Sequence, residues 1–169
     1  MFRIMIVCTG NICRSPMAEY MLKNALADAE VTAVEVRSRA VTDGEVGNGI
    51  DPRAASTLRA HGLDASAHVA TQLTADELAD MDLVLAMDTD HFEDLVPVLA
   101  DIDPSERPML RMFRSFDQVA ASEPHENQGV YDPWYGDAGD FRETWKLVAA
   151  SLPALVDYVR SNIASRGNR

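Results

Sequence analysis

A cysteine and an arginine near the start of the chain have the types and the spacing needed for phosphate chemistry. Cys8 is separated from Arg14 by five residues, which are Thr9, Gly10, Asn11, Ile12 and Cys13. A cysteine thiolate is a strong nucleophile, and a guanidinium can hold two oxygens of one phosphate group. We therefore predict that Cys8 attacks the phosphorus of a bound phosphate that Arg14 holds.

The residues between and after this pair suit a loop that binds anions. Gly10 can adopt a positive φ without steric cost, and asparagine is among the few other residues that tolerate it. Ser15 followed by Pro16 is typical of a helix start. Backbone N–H groups that lead into a helix N-terminus form an anion-binding concavity. We expect a phosphate-binding loop over residues 8–15, in which Arg14, the Ser15 hydroxyl and the N–H groups stabilise the thiolate of Cys8.

Strands and helices must alternate along the chain to position such a loop. Residues 2–7 are almost all apolar and predict a buried strand, and further strands are predicted at 31–36, 82–87 and 109–113. Helices are predicted over 16–27, 51–61, 74–79, 89–99 and 141–163, the last with a kink or break near Pro153. This order predicts an α/β fold with a four-stranded parallel sheet and helices on both faces. In such sheets ligands bind at the carboxyl ends of the strands, where the loop after the first strand lies.

Length, composition and charge limit the function classes. The chain has 169 residues, which suits a single domain over 1–169, and 47% of them are hydrophobic. The net charge of −12 disfavours nucleic acid and an anionic membrane surface as partners. No apolar run is long enough for a spanning helix, and the N-terminus does not resemble a secretory signal. We therefore expect a cytoplasmic protein, with export by another route left open.

The two cysteines, Cys8 and Cys13, are too close in sequence to predict a structural disulfide or a zinc site. A disulfide between them would close a very small loop, and the spacing lacks a second pair of cysteines or histidines. We expect reduced thiols, no metal and no cofactor. His68, His91 and His125 have no partner spacing and are predicted to face solvent.

The loop, with the runs around it, closely resembles the active site of the low-molecular-weight protein tyrosine phosphatases. The resemblance spans nearly the whole chain in order and is nearest to actinobacterial members. It is carried by residues 7–19, 51–55, 61–62, 85–88, 109–117 and 132–136. It implies a metal-independent enzyme that hydrolyses phosphotyrosine in proteins or peptides through a phosphocysteine intermediate. It also implies inhibition by phosphate and other oxyanions.

The resemblance also implies roles for individual residues. Cys8 is the nucleophile, Arg14 the phosphate clamp and Ser15 a hydroxyl that stabilises the thiolate. Asn11 holds the backbone of the loop through a polar network with Ser38 and His61. Asp88 orients Arg14. Cys13 resembles the second cysteine of the family, which can form a reversible disulfide with the nucleophile, although a plain buried thiol is an equal alternative.

Asp132 is the candidate general acid. It lies before Pro133 and beside two aromatic residues, Trp134 and Tyr135, which could form walls against a substrate ring. A carboxyl group there could protonate the leaving oxygen and later deprotonate the attacking water.

The remaining wall differs from that of many family members and leaves substrate alternatives open. Gly44-Glu45 stands where many members carry tryptophan followed by a polar or aromatic residue, so an aromatic surface is replaced by an acid. Ile12 fits a flat phenyl ring, whereas phosphoarginine phosphatases of this superfamily carry threonine there. The alternatives are a phosphatase for phosphoarginine or a small aryl phosphate, and a non-catalytic phosphate-binding module. A binding module would need neither Cys8 nor Asp132.

Overall fold

The protein is built on a four-stranded parallel sheet in the order β2-β1-β3-β4. The computed structural model describes residues 1–167. The strands are β1 (Phe2–Cys8), β2 (Val34–Ala40), β3 (Leu83–Ala86) and β4 (Met109–Met112). Cys8 at the end of β1 pairs with Ala40 at the end of β2, and β3 pairs with β1 on its other side. The predicted fold class is confirmed.

Across residues 1–167, five α-helices connect and cover the strands. They are α1 (Arg14–Asp28), α2 (Pro52–Ala60), α3 (Ala75–Ala79), α4 (Thr89–Ala100) and α5 (Ala138–Gly167). Short 3₁₀ turns occur between β4 and α5, at Phe113–Phe116, Ala120–Ser122, His125–Asn127 and Pro133–Tyr135. Within residues 1–167, no helix is long and apolar enough to cross a membrane.

The side chains of β1 alternate between two hydrophobic layers, as the period of a strand requires. Ile4 and Ile6 belong to the layer that packs on α1, α2 and α5. Met5 and Val7 belong to the layer that packs on α3 and α4. Because both faces of β1 are buried, the end of this strand is a rigid support for the loop that follows.

The predicted starts of α1 and β2 were wrong, and the break that was the alternative to a kink near Pro153 does not occur. Helix α1 begins at Arg14 with Cys13 as its N-cap, and Ser15 lies inside the helix, where its hydroxyl bonds to Cys8 and Asn11 of the loop. Strand β2 begins at Val34 and extends to Ala40, in register with β1 over its whole length. Helix α5 continues through Pro153 without a break. Proline removes one backbone hydrogen bond, and buried α5 residues on both sides of it, Val148 and Leu155, anchor the helix to the core.

Candidate active site

The thiol of Cys8 lies at the base of a cavity at the carboxyl end of β1. Its side chain is 3% exposed, and Sγ lies 2.9 Å from the Ser15 hydroxyl in the first turn of α1. Helix α1 has 15 residues and begins at Arg14, so its N-terminal dipole points toward the loop that carries Cys8. The dipole and the hydroxyl both favour a negative charge on this sulfur.

The loop is held from behind by the side chain of Asn11. Its backbone is in the left-handed region, with φ of 58°, which asparagine tolerates better than most residues. Its amide Nδ2 donates to Ser15 Oγ at 2.9 Å and to Ser38 Oγ at 2.8 Å. Its Oδ1 accepts from the backbone N–H of Thr71 at 3.1 Å. Asn11 is fully buried, so these bonds offset the cost of a strained backbone.

The donor and acceptor roles in this network leave the hydroxyl hydrogen of Ser15 for Cys8. Ser15 Oγ accepts from Asn11, so its own hydroxyl hydrogen is available to Cys8. Ser38 Oγ also accepts from Asn11 and donates to the carboxylate of Glu19, which pairs with Lys23 on α1. The network therefore supplies a hydroxyl donor to the sulfur.

The structure places His68, and not His61, at the loop. His68 Nε2 donates to the backbone carbonyl of Asn11 at 2.7 Å. His61 donates through Nδ1 to the carbonyl of Thr57 and stacks on Trp145, with ring centroids 3.7 Å apart. The sequence prediction that His61 supports Asn11 is therefore not met, because His61 caps the end of α2 and its ring packs on α5.

Arg14 is the cation of the site, and its side chain is bound at several points. The residue is 3% exposed. Its Nη1 donates to Asp88 at 2.6 Å and to the carbonyl of Val130 at 3.2 Å. Its Nη2 donates to Asp132 at 2.8 Å and lies 3.4 Å from Thr9 Oγ1. These bonds hold the guanidinium in place beside the loop.

Asp88 sits between β3 and α4 and is the N-cap of that helix. One of its oxygens accepts from Arg14 and the other accepts from the backbone N–H of His91 at 3.0 Å. Burial would raise the pKa of Asp88, but the contacts of its carboxylate with the ring and the backbone N–H of His91, together with the positive charge of Arg14, outweigh burial and hold that pKa well below its ordinary value. Asp88 is therefore a carboxylate across the working pH range and a permanent partner of Arg14.

Asp132 reaches the same guanidinium from the opposite end of the chain. It caps the 3₁₀ turn Pro133–Tyr135, where Oδ1 accepts from the N–H of Trp134, while Oδ2 accepts from Arg14. Arg53 fixes this turn against α2 by donating to the carbonyls of Gly136 and Trp134. The structure thus brings together Cys8, Arg14 and Asp132, the three predicted catalytic residues.

The loop, Arg14 and Asp132 line one cavity of about 250 Å³. All the predicted wall residues line it, namely Ile12, Gly44, Glu45, Trp134 and Tyr135, and Thr42 is a further lining residue that the sequence prediction missed. Tyr135 is 91% exposed and stands at the rim. A Cβ at Gly10 would lie 2.9 Å from Glu45 Cγ, so glycine at this position lets Glu45 pack over the loop.

A model of the family described as low molecular weight phosphotyrosine protein phosphatase matches residues 3–165. The chain belongs to this family. The low molecular weight protein-tyrosine phosphatase A of Mycobacterium tuberculosis is 39% identical over 165 residues, covering 97% of this chain and 95% of that protein. The low molecular weight protein-tyrosine-phosphatase of Streptomyces coelicolor is 34% identical over 168 residues, covering 98% of each chain. The crystal structure of Primo-1 has a TM-score of 0.82 at 30% identity and covers 93% of this chain and 97% of its own.

The family assignment confirms the predicted enzyme class. Low molecular weight phosphotyrosine protein phosphatases are cysteine-dependent hydrolases of phosphate monoesters, and their substrates are phosphoproteins. The predicted first strand is present as β1, and Cys8 is its last residue, where the predicted loop begins.

The second cysteine of this phosphatase differs from the first in its surroundings. Cys13 is buried at the N-cap of α1. Burial raises the pKa of the Cys13 thiol well above its usual value, and the negative charges of Asp51, Cys8 and Asp132 raise it further. Both cysteines are free thiols. Cys13 is therefore a poor nucleophile in this state, and the predicted redox role stays a prediction.

Two histidines predicted to face solvent are buried beside the phosphate loop instead. His68 contacts Asn11, and His91 contacts Thr9 and Asp88. Each lies far along the chain from its partner in the loop, so no local spacing could indicate it. His125 is exposed, as predicted, and its ring packs edge-on against Phe92. Among residues 1–167 there is no cluster of three or more histidine, cysteine or acidic side chains that could hold a metal ion.

Proposed function

We propose that the protein hydrolyses phosphotyrosine in proteins or peptides by two in-line phosphoryl transfers through Cys8. The observation that carries this proposal is the convergence of Cys8, Arg14 and Asp132 on one cavity, with Arg14 bonded to Asp132 at 2.8 Å. The location we propose is the cytoplasm, because a thiol nucleophile needs a reducing compartment.

In the first step the Cys8 thiolate attacks phosphorus, and the bond between phosphorus and the phenolic oxygen breaks. Asp132 gives its proton to the leaving phenolate, so that tyrosine departs neutral. The negative charge of the transferred group is spread over its equatorial oxygens, where Arg14 and the N–H groups of residues 9–15 stabilise it.

In the second step water attacks the phosphorus of the phosphocysteine. The Asp132 carboxylate takes a proton from that water, and the bond between sulfur and phosphorus breaks. The sulfur leaves as a thiolate, which the Ser15 hydroxyl at 2.9 Å stabilises. Inorganic phosphate is the product, and we expect phosphate and other oxyanions to inhibit by occupying the loop.

The lining of the cavity supports an aryl substrate. Ile12 and Trp134 both line it, and Trp134 is 41% exposed. Apolar side chains of this size suit a flat phenyl ring. A second candidate, hydrolysis of another phosphomonoester such as phosphoarginine, is favoured by Glu45, since this wall carboxylate could attract a cationic substrate group.

The proposal is tested by kcat/KM for matched peptides that carry phosphotyrosine, phosphoserine or phosphoarginine. Cys8→Ser is the blank, because it keeps the size of the side chain and removes the nucleophile. A phosphotyrosine preference that disappears in Cys8→Ser supports the proposal. Better turnover of phosphoarginine would keep the mechanism and change the substrate. Turnover by Cys8→Ser equal to that of the natural protein would refute the role of Cys8.

A further inference from the structure

His91 is buried between the phosphate loop and helix α4. It lies in the first turn of α4 and is 3% exposed. Its Nε2 lies 2.8 Å from the hydroxyl of Thr9, the loop residue next to the nucleophile. Its Nδ1 lies 2.8 Å from Asp88 Oδ1, in electrostatic contact but not aligned for a good hydrogen bond. One side chain thus joins the loop to the carboxylate that holds Arg14.

The partners of the ring define how the hydrogen bonds run. Nδ1 faces the Asp88 carboxylate, so a hydrogen on this nitrogen is favoured. Nε2 and the Thr9 hydroxyl share a hydrogen bond of 2.8 Å. Thr9 Oγ1 also accepts from Arg14 Nη2, which lies 3.4 Å away. Thr9 is oriented by His91 and in turn faces the phosphate clamp.

The loop has a separate support on each side of the nucleophile. Asn11 holds one side through Ser15 and Ser38. On the other side, Asp88 uses Oδ2 for Arg14 and Oδ1 for the backbone N–H and the ring of His91. A single carboxylate therefore fixes the guanidinium directly and the start of the loop through His91.

We propose that His91 is a positioning residue for phosphoryl transfer. It holds Thr9 and Asp88 in positions that let the loop N–H groups and Arg14 donate hydrogen bonds to the oxygens of one bound phosphate group. This inference rests on the proposed phosphatase activity and adds a residue to its machinery. The competing explanation is that His91 only fills space in the core between α4 and the loop.

Substitutions at His91 separate the two explanations. His91→Phe keeps a planar ring and removes both polar contacts, whereas His91→Gln keeps a polar group near the position of Nε2. For His91→Phe we expect about a 10-fold fall in kcat/KM and a similar rise in the Kd for inorganic phosphate. For His91→Gln we expect most of both values to be recovered. A core-filling residue would lower the Tm and leave kcat/KM and the phosphate Kd unchanged at 25 °C.

A double-mutant cycle with Thr9→Val tests the contact itself. If His91 acts through the Thr9 hydroxyl, His91→Phe causes little further loss once that hydroxyl is absent. Full additivity of the two losses would overturn the proposed route. His125→Phe is the matched control, since His125 is an exposed histidine that packs against Phe92 of α4. It should retain natural kcat/KM and phosphate affinity.

The outcomes for this inference and for the proposed function are distinguishable. If the natural protein binds phosphate but does not turn over phosphotyrosine peptides, the proposed function fails, while the phosphate Kd still tests His91. If the natural protein is active and His91→Phe matches it in kcat/KM and phosphate Kd, the inference about His91 is wrong and the proposed function stands.

Discussion

Replacing Asp132 with asparagine should weaken catalysis and strengthen phosphate binding at the same time. Asp132 Oδ2 accepts from Arg14 Nη2 at 2.8 Å, and we expect a bound phosphate oxygen to use the same nitrogen. The carboxylate is therefore a competitor of phosphate within the site. Asparagine keeps the shape of the side chain, but it can neither donate an acidic proton nor form an ion pair.

The two effects can be estimated separately. The Arg14 side chain is 4% exposed and that of Asp132 is 38% exposed, so the pair is partly screened by solvent. An ion pair of this kind contributes about 1 kcal/mol, which corresponds to roughly 5-fold tighter phosphate binding when it is removed. Loss of a general acid lowers kcat by about 10²–10⁴-fold. The loss should be largest for phenyl phosphate and smallest for p-nitrophenyl phosphate, because a good leaving group needs the proton least.

The assay combines steady-state kinetics on both aryl phosphates with titration calorimetry of inorganic phosphate. Asp137→Asn is the control, since it removes the same charge from the same segment and its carboxylate accepts from the N–H of Gly139. Phosphate affinity in the control should stay within about twofold, as expected for an exposed charge. If Asp132→Asn binds phosphate no more tightly than the natural protein, the carboxylate does not compete for Arg14. A kcat loss equal for both leaving groups would refute the acid role.

Three further predictions follow from the loop and its wall. Because burial raises the pKa of Cys13, this thiol should stay protonated between pH 7 and 9. Iodoacetate should therefore label Cys8 alone in peptide mapping. Comparable labelling of Cys13 at pH 8 would contradict this prediction. Asn11→Ala should lower the free energy of unfolding by about 2–4 kcal/mol in urea titrations. Asn11→Gly should lower it less, because glycine accepts the positive φ of this position. Equal losses in the two variants would exclude backbone strain as a contributor. Glu45→Gln should raise kcat/KM for acidic phosphotyrosine peptides by about 2–5-fold relative to neutral peptides, because it removes a negative charge from the cavity wall. This gain should vanish at high salt, and a gain that persists in about 1 M salt would argue against a charge effect.

The local parts of the site could be predicted from the sequence. Residues 8–15 lie in one unbroken run between a buried strand and a helix, so the roles of Cys8 and Arg14 follow from spacing and local structure. The wall residues Gly44 and Glu45 could be placed because the resemblance covers residues 7–19 and 51–55 on either side of them, although these two residues themselves differ from the family. The alternation of strands and helices could also be predicted, because the strands are apolar runs and the segments between them have apolar residues at helical spacing.

The long-range parts were not accessible to the same reasoning. Asp132 lies 118 residues from Arg14 along the chain, and its place depended on the resemblance. His68 and His91 lie 57 and 82 residues from their loop partners, and nothing in their local sequence distinguishes them from surface histidines. His61 was assigned to the network by resemblance alone, and only the tertiary fold decides which histidine ring reaches Asn11.

The side chains behind the loop have a consequence for the thermodynamics of ligand binding. Asn11, Ser15, Ser38 and His68 hold the loop through bonds within the protein, so the conformational entropy of residues 8–15 is lost when the chain folds and not when an oxyanion arrives. The loop amides should therefore be slow to exchange with deuterium before any ligand is added, and phosphate should slow them only modestly. Association should need no loop closure and should follow a single fast phase. The hydrogen bonds that stabilise the fold are therefore also the ones that hold the loop in its binding conformation.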